Sequence, residues 1–307
     1  MDTFYLPTSA GCNMYVRHWP ITTTPKAVVL IAHGMAEHSA RYEAFADYLN
    51  AAGIEVYAPD LRGHGLSVFR KMPLGWLGEE NGWYKLVEDF NNLHMYAMGK
   101  HPKIPIFLLG HSMGSVVVRN YLQLYPDFRP SGAVIMSTAA HKPFMLSMGQ
   151  LLVNTLAKFR KKSSESKLMA MLTFGPYNAK FQPQRTFFDW LSRDTSQVDA
   201  YVADPLCGSI FPYEFWIQFF MGLGLVGSDM GVQRTPASLP MLWLCGDMDP
   251  VGDYGKGVQQ LVDRFVARGC SKCSLKVYEG ARHELLNETN RNEVFADITQ
   301  WLIHTAS

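Results

Sequence analysis

Gly110-His111-Ser112-Met113-Gly114 sets a serine between two glycines, at a place where the pattern of the chain changes. The apolar run Ile104-Pro105-Ile106-Phe107-Leu108-Leu109 before it reads as a buried strand. The stretch Ser115-Val116-Val117-Val118-Arg119-Asn120-Tyr121-Leu122 after it reads as a helix packed on a sheet. A sharp strand-to-helix turn pushes the serine hydroxyl out above the sheet edge. Gly110 and Gly114 suit that turn, because a Cβ there would collide with neighbouring backbone. A serine hydroxyl is a weak nucleophile at neutral pH. It needs a base, a group to orient the base, and N–H donors for the oxyanion.

Each has a candidate further along the chain. The base is His283, in Tyr278-Glu279-Gly280-Ala281-Arg282-His283-Glu284, where small residues let a loop return over the sheet after the last strand. His18, His94, His101, His141 and His304 have no comparable placement. The acid belongs after the preceding strand, where Gly246-Asp247-Met248-Asp249-Pro250 offers both Asp247 and Asp249. The proline after Asp249 biases that residue to extended backbone. The oxyanion donors are the backbone N–H after the nucleophile, on Met113, and one from the loop after an early strand, on Met35. Gly34 permits close approach there. Gly34 and His111, beside these donors, are read as substrate-binding positions.

The elements that must hold these residues alternate along the chain. Uniformly apolar or β-branched runs at 27–32, 53–58, 106–109, 132–137, 241–245 and 274–278 read as strands. Apolar residues at helical spacing mark helices at 41–52, 83–98, 258–267 and 293–303. Continuous apolar strands between helices argue for a mostly parallel central sheet covered on both faces. Gly11, between two extended segments, suggests an antiparallel hairpin on one edge. Residues 139–237 break the alternation. They are helical in pattern and rich in Met and Phe, and a connection this long should carry structure of its own. The expected organisation is a core of residues 1–138 and 238–307 with a helical cap at 139–237.

Composition narrows the function. The chain has 307 residues with a net charge of +1, which implies neither a nucleic-acid surface nor a polyanionic partner. Its ten histidines show no zinc-like spacing, and no metal or cofactor is expected. Of five cysteines, Cys270 and Cys273 form a single C-x-x-C with no second pair; all five, with Cys12, Cys207 and Cys245, are read as free thiols of a reducing compartment. The first residues lack a basic segment followed by an apolar one, so a cytoplasmic location is expected. The greasiest stretch, 211–226, holds Pro212, Glu214, Gly222 and Gly224 and is too broken for a membrane span. It could instead form a cap helix in weak peripheral contact with lipid. Lys158-Phe159-Arg160-Lys161-Lys162 is read as a solvated basic cluster.

These residues resemble the α/β-hydrolase superfamily, and within it the monoacylglycerol lipase and lysophospholipase-like group (serine aminopeptidase S33-type), in its bacterial branch. The matching residues are His33-Gly34-Met35, Glu37-His38-Ser39, Arg41-Tyr42, Asp60-Leu61-Arg62-Gly63-His64-Gly65-Leu66-Ser67, Gly110 to Gly114, Asp204-Pro205-Leu206, Gly246 to Asp249 and Tyr278 to His283. The resemblance implies an α/β-hydrolase fold. It puts the acid on Asp249, three residues after Gly246, and the second oxyanion donor on Met35. The cap departs most from the group across 139–180.

The implied activity is cleavage of lipid-like acyl esters (monoacylglycerol, lysophospholipid or fatty acyl ester) through an acyl-enzyme. An aminopeptidase with the same triad is the sibling reading; it would draw on Glu37, Glu214 or Asp253 for the substrate's ammonium. A non-catalytic binding protein of the same fold is the third, and a complete set of triad residues argues against it.

Overall fold

The computed structural model describes residues 1–9, 11–140 and 142–307. An N-terminal hairpin, β1 (Asp2–Pro7) with β2 (Asn13–Trp19), leads into β3 (Ala27–Ala32), helix α1 (Glu43–Ala51), β4 (Ile54–Pro59), α2 (Gly82–Lys100) and β5 (Ile106–His111). Helix α3 (Met113–Leu124) and β6 (Gly132–Met136) follow. Five helices then intervene: α4 (Pro143–Ala157), α5 (Lys167–Phe174), α6 (Thr195–Ala203), α7 (Tyr213–Gly227) and α8 (Asp229–Arg234). The chain closes with β7 (Met241–Gly246), α9 (Lys256–Ala267), β8 (Cys273–Tyr278) and α10 (Arg291–Ala306).

The eight strands form one sheet in the order β1-β2-β4-β3-β5-β6-β7-β8. β2 pairs antiparallel with β1 and β4, and every other pair is parallel. Side chains alternate between two cores, as a strand covered on both faces requires. Val28, Leu30 and Leu108 pack toward α2, α3 and α9; Val29, Ile31, Phe107 and Leu109 pack toward α1 and α10. Both faces being apolar explains why β3 and β5 carry no polar alternation.

One reading of the sequence is corrected. Cys270 and Cys273 are not free: they form a disulfide, because the turn entering β8 brings their Cα atoms to 5.8 Å. Cys12, Cys207 and Cys245 are free thiols. Most of the stretch 211–226 lies in one helix, α7, where a helix was expected. Pro212 is the N-cap of α7, Glu214 is buried in its first turn, and the helix runs on through Gly222. A Cβ at Gly222 would lie 2.1 Å from the Trp83 ring, so glycine is what lets α7 rest on α2. Among the described residues no helix is long and apolar enough to cross a membrane.

Candidate active site

Ser112 is the residue between β5 and α3, with φ 51° and ψ −117°. Positive φ is disfavoured for a residue with a Cβ, and such strain persists only where neighbours fix it. Here Ser112 N–H donates to the Met136 carbonyl at 3.0 Å, and the Ser115 hydroxyl donates to the Ser112 carbonyl at 2.5 Å. The flanking glycines are required by proximity. A Cβ on Gly114 would sit 1.9 Å from the Ala32 carbonyl oxygen, and one on Gly110 would sit 2.5 Å from that of Gly114.

His283 and Asp249 come together from the loops after β8 and β7. The ring Nδ1 lies 2.9 Å and 3.0 Å from the two Asp249 oxygens, and both residues are buried. With Nδ1–H donating, Nε2 is left free as a base. Asp249 also accepts from Val251 N–H at 2.9 Å. Asp247 is used elsewhere, accepting from Gly280 N–H at 2.7 Å, which ties the two loops together. Trp190 packs on the imidazole with ring centroids 4.9 Å apart. Ser112 and His283 line one cavity, and no hydrogen bond joins them among the described residues. Such contacts tighten when substrate fills the site.

The loop after β3 carries Gly34 and Met35. His33, fully buried, accepts from Leu61 N–H at Nε2 (2.8 Å) and donates from Nδ1 to the Gly34 carbonyl (2.7 Å). Burial pushes its pKa down and keeps the ring neutral, as this pattern needs. The Gly34 carbonyl and the Met35 N–H share one peptide plane, so pinning the first aims the second. On the far side of the loop, the Ala36 carbonyl accepts from the Tyr201 hydroxyl and from Gly208 N–H, both at 2.9 Å.

A buried cluster that sequence reading missed braces this loop against the His283 loop. Glu37 Oε1 accepts from Gly34 N–H (2.5 Å), the Tyr42 hydroxyl (2.9 Å) and His111 Nδ1 (3.1 Å). Glu37 Oε2 accepts from Arg41 at 2.7 Å, and Arg41 also forks onto Glu284 at 2.5 and 2.7 Å. Burial opposes ionisation of Glu37, but the His111 hydrogen bond and the Arg41 charge outweigh it and hold the carboxyl well below the usual range. For His111 burial likewise opposes charge, and the bond to Glu37 overcomes it and raises the pKa. His111 Nε2 reaches the His283 carbonyl at 3.4 Å. The ring thus lines the cavity with both nitrogens engaged. The cluster joins residues up to 243 positions apart, which no local spacing reveals.

The cavity measures about 1250 Å³. Its polar floor is Gly34, Met35, Ser112, Met113 and His283; its walls are largely apolar and come from α4, α5 and α7, with Leu152, Met169 and Phe220 among them. Outside it, His38, Asp204 and Cys207 bring three metal-ligand types within 4.8 Å of one another. His38 Nε2 is already bonded to Asp204 at 2.9 Å, and burial pushes the Cys207 thiol far up, toward the protonated form.

A mostly parallel eight-stranded sheet with a serine at the strand-to-helix elbow and helices between β6 and β7 is an α/β-hydrolase. The chain belongs to the family described as serine aminopeptidase, S33, which matches residues 23–290. It is 32% identical to a monoacylglycerol lipase of Mycolicibacterium smegmatis, over 95% of this chain and 94% of that one. It is 31% identical to human monoglyceride lipase, over 98% of this chain and 90% of that one. A thermostable carboxyl esterase from Bacillus coagulans, solved in complex with glycerol, superposes with a TM-score of 0.92 at 25% identity, covering 100% of this chain and 99% of that one.

Proposed function

We propose that Ser112, His283 and Asp249 are the nucleophile, base and orienting acid of a serine hydrolase that cleaves lipid-like acyl esters. The observation that carries this is the Asp249–His283 pair opening onto the same apolar-walled cavity as Ser112. Ser112 Oγ attacks the acyl carbonyl as His283 Nε2 takes its proton. The Met35 and Met113 N–H groups hold the oxyanion, with Gly34 and His111 as the adjoining wall. Collapse expels the alcohol, which receives the proton from His283. Water then attacks the acyl-enzyme, His283 takes its proton and returns it to Ser112 Oγ as the intermediate collapses, and the acid leaves. No metal or cofactor enters these steps. Residues 139–237 serve as the cap that gives the acyl chain its apolar wall.

The amide-cleaving sibling needs an acidic group for an α-ammonium. Glu37 is bound on both oxygens, Glu214 is paired with Lys162 at 3.2 Å, and Asp253 with Lys142 at 2.8 Å. Esters are therefore favoured over aminoacyl amides. The test is a fluorophosphonate label on Ser112 followed by a panel of p-nitrophenyl acyl esters and aminoacyl arylamides. Labelling with ester turnover is expected. An inert serine would favour a binding protein, and arylamide turnover alone would favour the peptidase.

A cytoplasmic location with weak peripheral membrane contact through the cap is part of this reading, but the lipid-facing helix is not α7. That helix buries Phe215, Trp216 and Phe219. Exposed apolar residues include Met145, Met148 and Leu151 on α4 and Met171 on α5, at the cavity wall, with Lys158, Arg160, Lys161 and Lys162 just beyond α4. Exposed apolar surface beside cations suits an anionic bilayer. Co-sedimentation with phosphatidylglycerol vesicles is expected at low salt, and Leu151→Asp should weaken it several-fold. Equal recovery of both proteins in the supernatant would dismiss the contact.

A further inference from the structure

Arg119 lies on α3, seven residues after Ser112, and therefore on the same helix face. Met113, Val116 and Arg119 all line the cavity. Arg119 is 3% exposed. Its Nη1 donates to the Thr138 hydroxyl at 3.3 Å and its Nη2 to the Val226 carbonyl at 3.1 Å, while its Nε is buried without a partner. The guanidinium lies over the Trp243 ring, 5.6 Å from its centroid. Among the described residues no carboxylate pairs with it. Burial pushes its pKa down to about 9, and the one charged group that acts on it, Arg264, is itself a cation and pushes the same way.

A buried guanidinium is ordinarily paired, because taking a lone charge out of water is strongly unfavourable. Its bond to Val226, near the end of α7, satisfies a helix carbonyl, but a neutral donor would do that without a buried charge. The surrounding side chains supply no counter-charge among the described residues. Helix rise puts Arg119 roughly 10 Å along α3 from the nucleophile, about the span of an eight-carbon acyl chain.

We propose that Arg119 is an anion receptor inside the substrate cavity, and that the preferred ester carries a carboxylate or phosphate where it lies along α3. The proposal rests on the ester-hydrolase reading and names its substrate class. A carboxylate would sit on the far end of the acyl chain; a phosphate would sit on the leaving alcohol.

The test is calorimetric binding to the Ser112→Ala protein, in which turnover is too slow to consume ligand during the measurement. Two pairs separate the sources: monomethyl suberate against methyl octanoate, and octanoyl lysophosphatidic acid against octanoylglycerol. In one pair the charged member is expected to bind about tenfold tighter or more, as a charge-assisted hydrogen bond allows. Arg119→Met should abolish that preference and Arg119→Lys should retain part of it, with thermal melts confirming folded proteins. The comparison of charged with neutral ligands needs no Arg119 variant, so a variant that fails to fold leaves it standing. Equal affinities within both pairs, or a preference that survives Arg119→Met, overturns the proposal. Turnover of p-nitrophenyl octanoate by the unaltered protein is read separately. Ester turnover without charge preference sinks the receptor alone; Arg119-dependent binding without turnover of any ester sinks the hydrolase reading alone.

Discussion

Ser112→Ala is expected to lower kcat on p-nitrophenyl octanoate by about 10,000-fold or more, with melting behaviour close to that of the parent. The loss is large because the hydroxyl is the only atom that forms the acyl bond in the proposed cycle. Some rate over water should survive, because Met35 and Met113 N–H groups still meet a developing oxyanion. The fold should tolerate the change. No Ser112 side-chain bond caps α3, and Ala must adopt the same φ of 51°, so the strain is neither relieved nor added. The expected stability change is within about 0.5 kcal/mol. His283→Ala should cost about as much, and the double variant little more, because the pair acts as one unit. Turnover by Ser112→Ala within about tenfold of the parent would put the nucleophile elsewhere.

The elements that hold Ser112, Asp249 and His283 are legible for a simple reason. Strands covered on both faces are written as unbroken apolar runs, so β3, β5, β6 and β7 stand out. Helices at 83–98 and 258–267 declare themselves by period and extend only a few residues further, to Gly82–Lys100 and Lys256–Ala267. The reason for Gly222 in α7 is not legible locally: it appears only when Trp83, over a hundred positions earlier, is laid against the helix. The disulfide escaped because C-x-x-C spacing does not state whether a turn closes it.

The site divides along the same line. Ser112 and His283 sit in local patterns from which the proposed nucleophile and base can be read. The choice between Asp247 and Asp249 rested on resemblance, and only geometry brings Asp249 to the ring. Arg119 had a visible signal, a lone cation in the apolar run after the elbow, but its missing partner is a property of the surroundings. The Glu37–Arg41–Glu284 cluster is likewise tertiary: no segment of the chain contains it.

That cluster makes Glu37→Gln the second large effect. Glutamine keeps the shape but turns one acceptor oxygen into a donor NH₂. In one orientation the NH₂ faces the Arg41 guanidinium; in the other it faces Gly34 N–H, Tyr42 and His111. Either way donors meet donors in a buried site. Breaking a buried charge pair from one side costs about 3 to 5 kcal/mol, and that loss is expected in urea unfolding at pH 7. The loop that aims Met35 N–H should loosen with it, lowering kcat by about 10- to 100-fold with a smaller change in KM. The pH profile separates this from a generic loss of stability. The Glu37 pKa is depressed on folding, so its contribution is present above the unfolded value of about 4.3 and fades as pH falls through the folded one. The His111 pKa is raised, so its contribution is present below about 6.5 and fades as pH rises through its folded value. The parent should therefore gain most from this pair between about pH 4.5 and 6.5, and Glu37→Gln should lose stability most in that window. A difference between the two proteins that stays constant from acid to alkaline pH would mean the glutamate packs the loop without holding His111 charged.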